Sequence, residues 1–327
     1  MQYEEKGRIV RGVGGLYEID LQTGETPLSG SRVTARAKGN FRHEGITPLV
    51  GDRVRVSFDE MSLAKDGEGR LCSSANGGGI VIEEILPRKN ALIRPPMANL
   101  DLLFITFAAA HPTPSLETVD KLISIAEYNG ILPVIVVGKR DMAPEYADEL
   151  QKTYTVSGFP AFALSAGNGE GVEELRAYLK ENMTGKTAAF AGASGVGKST
   201  LLNALFPSLC LQTGEISRRI ERGKHTTRRV ELYRLEEMDG AYIADTPGFS
   251  MLDFVRFDFF SRDDLADTMR EFAPHIGECR YKKCTHTREQ GCAILEAVAR
   301  GEIPQSRHQS YVSMFDALKN KHDWSKK

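Results

Sequence analysis

The sequence predicts a multidomain α/β chain: a small β-barrel, then a parallel sheet with helices on both faces, then a short helical segment stapled by a metal. Three observations carry that expectation. Residues 1–95 alternate apolar and polar side chains in short runs broken by glycine, the pattern of half-buried strands in a barrel or sandwich. From Asn99 onward, continuous apolar runs alternate with helical spacing, as in strands buried on both faces. Near the C-terminus three cysteines and a histidine cluster between 279 and 292, which is metal spacing and not a disulfide framework.

At 327 residues the chain has room for two or three domains. A net charge of −2 excludes a global polycation, but the charge is uneven. Arg218, Arg219, Arg222, Lys224, Arg228 and Arg229 fall within a dozen residues, and the segment after Cys279 is basic. No apolar leader opens the sequence and no run is long enough to cross a bilayer, so the expected location is the cytoplasm, with no membrane partner.

In the first domain, expected over 1–95, the clearest strand runs are Gly7 to Ile19 and Asp52 to Phe58. Arg32, Arg36, Lys38, Phe41, Arg42 and His43 mix bases with an aromatic. That mixture suits a barrel that binds oligonucleotides; a solvated barrel edge is the competing reading. Residues 64–79 are rich in glycine and serine and read as a loop, and Arg94-Pro95-Pro96 breaks regular structure at the domain boundary.

In the middle domain, Leu100–Phe107, Leu132–Val137, Phe159–Leu164, Thr187–Ala191 and Tyr242–Ala244 read as buried strands. Leu116–Tyr128, Glu145–Lys152, Val172–Leu179 and Ser199–Leu205 read as helices. Ligands in such sheets bind at the carboxyl ends of the strands, so the residues just after each strand are the informative ones. After Ala191 comes Gly192-Ala193-Ser194-Gly195-Val196-Gly197-Lys198-Ser199, which fits GxxxxGK[ST] at every fixed position. The glycines let backbone N–H groups turn toward a phosphate, and Lys198 brings charge to the outer phosphates. The Ser199 hydroxyl can ligate Mg²⁺, and Ser199 and Thr200 open a helix whose N-terminus favours anions.

Three further motifs sit at strand ends: Gly138-Lys139-Arg140-Asp141, Ser165-Ala166-Gly167 and Asp245-Thr246-Pro247-Gly248. Asp141 can accept two hydrogen bonds from the N–H edge of guanine, donors that adenine lacks. The Lys139 stem can cover the base, and the backbone N–H groups of Ser165 and Ala166 can meet the guanine oxygen. The last motif looks like the DxxG switch of GTPases, in which the aspartate, here Asp245, holds Mg²⁺ through water and the glycine, here Gly248, meets the γ-phosphate. Each motif alone is weak, since a lysine and an aspartate after a strand usually make a solvated turn. Four together, each at a strand end, specify a site for GTP or GDP with Mg²⁺.

The motif order is rotated, with the base elements ahead of the phosphate loop. On these motifs the chain resembles the circularly permuted small ribosomal subunit biogenesis GTPases over essentially its whole length. Arg94-Pro95-x-x-Ala98-Asn99-x-Asp101 matches that family's lead into its GTPase domain. The resemblance implies an N-terminal OB-fold β-barrel over 1–95, a permuted P-loop GTPase domain over 96–259 and a zinc-binding domain over 260–327. It also implies GTP hydrolysis stimulated by the ribosome, and a monomer that binds the small ribosomal subunit and its rRNA. Two features depart from common GTPase patterns. Gly138 stands where an Asn is usual, removing an amide able to bridge the base and the phosphate loop; Asp141 should preserve guanine selection at lower affinity. Phe249 stands after DxxG, where many small GTPases carry a water-positioning Gln; the family too is hydrophobic there. Arg222-Gly223-Lys224-His225-Thr226-Thr227 resembles the family's first switch. It offers His225 to position water and Thr227, or Thr226, to reach Mg²⁺. A lone histidine in a basic loop is otherwise a phosphate or solvent contact.

Cys279, Cys284, His286 and Cys292 form C-x₄-C-x-H-x₅-C. Three thiolates and an imidazole suit one tetrahedral, structural Zn²⁺, and the spacing matches the family. Arg280, Tyr281, Lys282, Lys283 and Arg288 surround the knot, and Arg307, His308, Lys319, Lys321, Lys326 and Lys327 are expected to extend that basic surface; bases around a zinc knot suit an RNA contact, and a solvated basic face is the competing reading. Val298–Arg300 and Tyr311–Leu318 read as helices. Because the switches lead directly into this segment, nucleotide state is expected to reorient it. The function that follows is a GTP-hydrolysing assembly factor that binds the subunit in the GTP state and leaves after hydrolysis. The alternatives are a nucleotide-gated RNA-binding protein with incidental hydrolysis, or a P-loop ATPase or kinase.

Overall fold

The computed structural model describes residues 2–43, 45–65, 71–72, 79–93, 96–193, 195–207, 230–235, 237–245 and 261–319. They divide into two compact units. The first takes in the described residues up to 101, with 183–189 and 230–245; the second takes in 102–182, 190–207 and 261–319.

In the first unit five strands, β1 (Gln2–Val13), β2 (Leu16–Leu21), β3 (Arg32–Ala37), β4 (Arg53–Asp59) and β5 (Ile80–Ile85), run in the order β1-β2-β3-β5-β4. β4 closes the ring on β1, from Gln2↔Asp59 to Arg8↔Arg53. Neighbours are antiparallel except β3 and β5, which are parallel. A closed five-stranded ring of this order is the OB-fold barrel. Alternation puts Val54, Val56, Phe58, Ile80 and Ile82 inside and leaves the intervening Arg55 and Glu84 toward solvent. At Gly7 the crossing is so close that a Cβ would lie 2.5 Å from Ile19 Cγ2, so only glycine passes. Phe41, grouped in sequence with the bases of a candidate oligonucleotide-binding surface, is buried in the barrel core at 6% exposure. Arg32 pairs with Asp20 at 2.6 Å and Lys38 with Glu83 at 2.7 Å.

The motif Ala98-Asn99-x-Asp101 fastens this barrel to the strands that follow. Asn99 adopts a left-handed φ of 56°; its amide donates to Gly51 O at 3.0 Å and its Oδ1 accepts Lys89 N–H at 2.9 Å. Asp101 accepts the N–H of Thr187 at 2.9 Å and Lys89 Nζ at 2.7 Å. Thr187 opens the later strand Thr187–Ala191, whose first three residues pair in parallel with Ala241–Asp245. That strand in turn pairs antiparallel with Glu231–Leu235, which meets β1 at Arg11↔Glu231. Tyr242 donates to Asp20 at 3.2 Å while the Arg8 guanidinium stacks 4.7 Å from its ring centroid.

In the second unit β6 (Leu102–Ala108), β7 (Leu132–Gly138) and β8 (Ala161–Ala163) are parallel, in the order β8-β7-β6. Next to β6 lies the C-terminal part of β9 (Thr187–Ala191), where Phe190 stacks on Phe104 at 4.7 Å. The two later strands of the first unit are β10 (Glu231–Leu235) and β11 (Ala241–Asp245). β6 is buried along its whole length, as its continuous apolar run requires. The helices are α1 (Leu116–Tyr128), α2 (Pro144–Val156), α3 (Val172–Asn182), α4 (Lys198–Leu205), α5 (Ala293–Ala299) and α6 (Gln305–Lys319). Ser115 caps α1 by accepting Thr118 N–H, and Pro at the first turn sets the start of α2.

Two expectations about the C-terminal segment are corrected. α6 begins at Gln305, not at Tyr311, because its first turns are held by buried polar groups and not by an apolar stripe. Arg307 and His308 do not extend a basic surface. Arg307 is 0% exposed: its guanidinium donates to Asp120 on α1 at 2.6 Å and to Glu271 at 2.7 Å. His308 is 8% exposed. No helix among the described residues is long and apolar enough to cross a membrane.

Candidate nucleotide and metal sites

β7 ends at Gly138, and the next residue turns the chain sharply. Lys139 takes a left-handed φ of 56° and leads into the short turn Arg140–Met142. That turn directs the Asp141 carboxylate at the end of β8, where Ser165 Oγ donates to it at 2.5 Å. Ser165 is itself buried, and its N–H is taken by Glu170 O at 2.8 Å, which leaves the Ala166 N–H as the backbone donor for a base oxygen. Lys139 Nζ donates to the His111 carbonyl. Arg140 faces elsewhere: its guanidinium holds Asp148 at 2.8 Å and also pairs with Glu170, stapling the turn from outside. The Asp148 hydrogen bond keeps its pKa above the ordinary value.

β9 delivers the chain to the phosphate loop. A Cβ on Gly192 would lie 2.0 Å from the Thr106 carbonyl oxygen, so the loop can lie on β6 only as glycine. Gly195 and Gly197 take φ of 80° and 99°, which turns the loop into α4. Lys198 opens that helix and donates back to the carbonyls of Gly192 at 2.6 Å and Ala193 at 2.8 Å. Burial lowers its pKa. An ammonium held only by neutral carbonyls, with no carboxylate among its described contacts, is suited to receive an anion. Ser199 and Thr200 are exposed in the first turn.

These two sets of residues line one cavity of about 270 Å³: Gly138, Lys139, Asp141, Ser165 and Ala166 on one side, Val196, Gly197 and Thr200 on the other. A Cβ at Gly138 would sit 3.4 Å from Val196 O, so the base turn abuts the phosphate loop with no side chain between them. Asp245 ends β11, but its side chain lies outside the described residues, as do Ser194, His225, Thr226, Thr227, Gly248, Phe249 and the arginine cluster from 218 to 229.

The donor atoms of Cys279, Cys284, His286 and Cys292 lie within 4.8 Å of one another. Cys279 Sγ is 3.5 Å from His286 Nδ1 and 3.9 Å from Cys292 Sγ, and Cys292 Sγ is 3.5 Å from the same nitrogen. With Zn–S of about 2.3 Å and Zn–N of about 2.0 Å, a tetrahedron has S···S edges of about 3.8 Å and S···N edges of about 3.5 Å. The cluster therefore fits a zinc ion. Burial pushes the Cys284 thiol up to about 12, raises Cys292 and lowers His286. Those shifts disfavour bare thiolates packed together, and a dication reverses them for the sulfurs.

The surrounding shell is built from α6 and one carboxylate. His308 Nε2 donates to His286 O at 2.8 Å and Tyr311 OH to Thr285 O at 2.9 Å. Glu289 accepts the N–H groups of Thr285, Thr287 and Arg288 at 2.9 to 3.1 Å. Burial pushes its carboxyl up, but hydrogen bonds from the Thr285 hydroxyl and from backbone N–H groups, those of Thr285 and Arg288 among them, outweigh it and hold it at about 2. Reading the sequence missed Glu289, although a carboxylate just past Thr-His-Thr, between two metal ligands, is a usable sign of a knotted turn. It also missed the Asp120–Arg307–Glu271 triad, for which apolar periodicity carries no signal.

Sequence profiles match the RsgA N-terminal domain over residues 6–65 and the RsgA GTPase over 85–255. A small ribosomal subunit biogenesis GTPase RsgA from Caldanaerobacter subterraneus subsp. tengcongensis is 40% identical over 317 residues, covering 97% of this chain and 96% of its own. One of the same name from Bacillus pumilus is 36% identical over 323 residues, covering 97% and 98%. Among solved structures, YjeQ from Thermotoga maritima superposes with a TM-score of 0.76 at 30% identity, over 98% of this chain and 100% of that one. YloQ, described as a circularly permuted GTPase, superposes with a TM-score of 0.73 at 29% identity, over 98% and 96%. Likeness of this extent, on a barrel followed by guanine-type elements ahead of the phosphate loop, means that the chain belongs to the RsgA GTPase family.

Proposed function

We propose that this protein is a GTPase that binds the small ribosomal subunit, assists its late maturation and is released on GTP hydrolysis. The observation that carries the reading is the shared cavity, with Asp141 and Ser165 facing Val196, Gly197 and Thr200. In this reading the barrel spans 1–95, the permuted GTPase domain 96–259 and the zinc domain 260–327. Asp141 selects guanine, Lys139 covers it, and the Ala166 N–H meets its oxygen. The N–H groups of the loop from Gly192 to Gly197 and the Lys198 ammonium bind the phosphates. Ser199, Thr227 and Asp245, the last through water, would hold Mg²⁺, which when bound neutralises charge on the β- and γ-phosphate oxygens. His225 orients a water whose oxygen bonds to the γ-phosphorus in line as the bond to the β–γ bridging oxygen breaks; the bridging oxygen leaves on GDP, where Lys198 stabilises its charge, and the water's proton departs with the released phosphate. Gly248 N–H meets the γ-phosphate and so reports its presence.

Cys279, Cys284, His286 and Cys292 would hold one structural Zn²⁺. The exposed Tyr281, with the Arg280 guanidinium 5.6 Å from its ring centroid, supports an RNA contact beside that knot. The protein acts in the cytoplasm as a monomer, and contact with the subunit accelerates turnover. The test is co-sedimentation with purified small ribosomal subunits. The protein is expected to pellet with a non-hydrolysable GTP analogue and to remain in the supernatant with GDP. Pelleting that ignores the nucleotide, or no pelleting at all, contradicts the proposal.

A further inference from the structure

Two consecutive residues of the base turn hold the two ends of one short loop, Ser165-Ala166-Gly167-Asn168-Gly169-Glu170. At its start, Ser165 Oγ donates to Asp141 at 2.5 Å. At its end, the Glu170 carboxylate pairs with the Arg140 guanidinium. The same guanidinium forks onto Asp148 of α2, with Nε to Oδ1 at 2.8 Å and Nη2 to Oδ2 at 3.0 Å, so α2 fixes where it points. The Arg140 backbone N–H also donates to Leu164 O at 3.1 Å. Within the loop, Ser165 N–H donates to Glu170 O at 2.8 Å and Gly169 N–H to Ser165 O at 3.0 Å. Ala166 and Gly167 lie inside that closed turn and line the cavity. Gly167 and Gly169 give the loop little stiffness of its own, so its shape depends on its anchors. An isolated surface ion pair contributes little, but a forked guanidinium joining two carboxylates holds a fixed geometry.

We propose that Arg140 is a positioning residue for guanine recognition: through Glu170 it sets the 165–170 loop so that the Ala166 N–H meets the base oxygen, while Asp141 reads the N–H edge. The inference rests on the guanine-nucleotide reading above. Arg140 stands in the sequence among residues expected to bind the base. Its Nε and Nη2 are taken by Asp148 and its Nη1 by Glu170. Every nitrogen of the guanidinium is therefore engaged within the protein, and Arg140 acts on the base through the loop and not by contact. The base turn is divided by role, with Asp141 reading the two N–H donors and Arg140 governing the contact to the oxygen.

The test is competition of GDP, IDP and 6-thio-GDP against fluorescent GDP on the full-length protein. IDP keeps the base oxygen and loses the 2-amino group; 6-thio-GDP keeps both N–H donors and replaces the oxygen with sulfur, a weaker acceptor. Wild type is expected to prefer GDP to 6-thio-GDP. Arg140→Gln is expected to weaken GDP and IDP alike by about fivefold, the scale of one hydrogen bond, and 6-thio-GDP by less than about twofold. Its melting temperature should be that of wild type. Glu170→Ala should reproduce the pattern, and Arg140→Gln/Glu170→Ala should bind no more weakly than either single variant, because the two side chains act as one contact. Equal losses for all three nucleotides, losses that multiply in the double variant, or wild-type GDP affinity in Arg140→Gln overturn the inference and leave the guanine site standing. A wild type that binds 6-thio-GDP as tightly as GDP removes the Ala166 contact and the inference with it. A wild type that binds ADP as tightly as GDP overturns both the inference and the guanine reading.

Discussion

The Asp141 carboxylate is fixed before any ligand arrives, because Ser165 Oγ holds one of its oxygens at 2.5 Å from the end of the neighbouring strand. A carboxylate oriented in this way accepts two N–H donors and rejects a base that lacks them. Asp141→Asn is therefore expected to weaken GDP by at least about 100-fold while improving binding of xanthine nucleotides, measured by competition against a fluorescent nucleotide. Gly138 is the complementary case. Its Cβ position clears Val196 O by 3.4 Å, a tight but ordinary contact for a side chain. Gly138→Asn should tighten GDP severalfold, on the order of one hydrogen bond of about 1 kcal/mol. Unchanged or weaker binding would mean that the base turn cannot accept the amide. Lys198 completes the residue-scale picture: an ammonium resting on two carbonyls is poised to exchange them for phosphate oxygens.

The C-terminal helix α6 works as a two-sided clamp. One side reads the metal knuckle through His308 and Tyr311. The other sinks Arg307 between Asp120 and Glu271, with the Tyr154 hydroxyl donating to Asp120 at 3.1 Å. Around it Ile125 of α1 packs with Phe272, Tyr311, Met314 and Phe315 in one apolar cluster. Arg307→Met leaves two buried carboxylates without their counter-charge, so it should cost about 3–5 kcal/mol in urea denaturation. A loss below 1 kcal/mol would mean that the triad relaxes to solvent. The clamp also constrains the expected response to nucleotide, since movement of the zinc segment has to carry α1 with it. In the knuckle, Glu289 is held at about 2 by its hydrogen bonds. A depressed carboxyl stabilises the fold above its unfolded pKa and loses that contribution as pH falls toward the folded value. Wild type should therefore lose stability relative to Glu289→Gln between roughly pH 4.5 and 2, read as the difference in melting temperature. Parallel profiles would contradict this.

At the scale of the whole molecule, what was legible in the sequence is what periodicity and turn chemistry encode. α1 and β9 have the bounds their apolar runs give, Leu116–Tyr128 and Thr187–Ala191, because a Ser cap opens one and Gly192 closes the other. The base turn, the phosphate loop and the Cys3His cluster were legible because each needs a fixed residue type at a fixed spacing. Phe41, Arg307 and His308 were not, since a lone aromatic or base carries no sign of which way it faces. The first turns of α6 are polar in sequence and buried in fact, paired across 36 residues to Glu271 and 187 to Asp120. The rotated order of motifs is harmless to the fold, because a ligand meets positions in space and not in sequence.

The measurement that bears most directly on the account is a crystal structure of the protein with GDP. The account predicts one GDP whose base edge lies on the Asp141 carboxylate and whose phosphates lie on Lys198 and the loop from Gly192 to Gly197. A nucleotide bound with Asp141 and Lys198 on different molecules, or with its base away from Asp141, would contradict it.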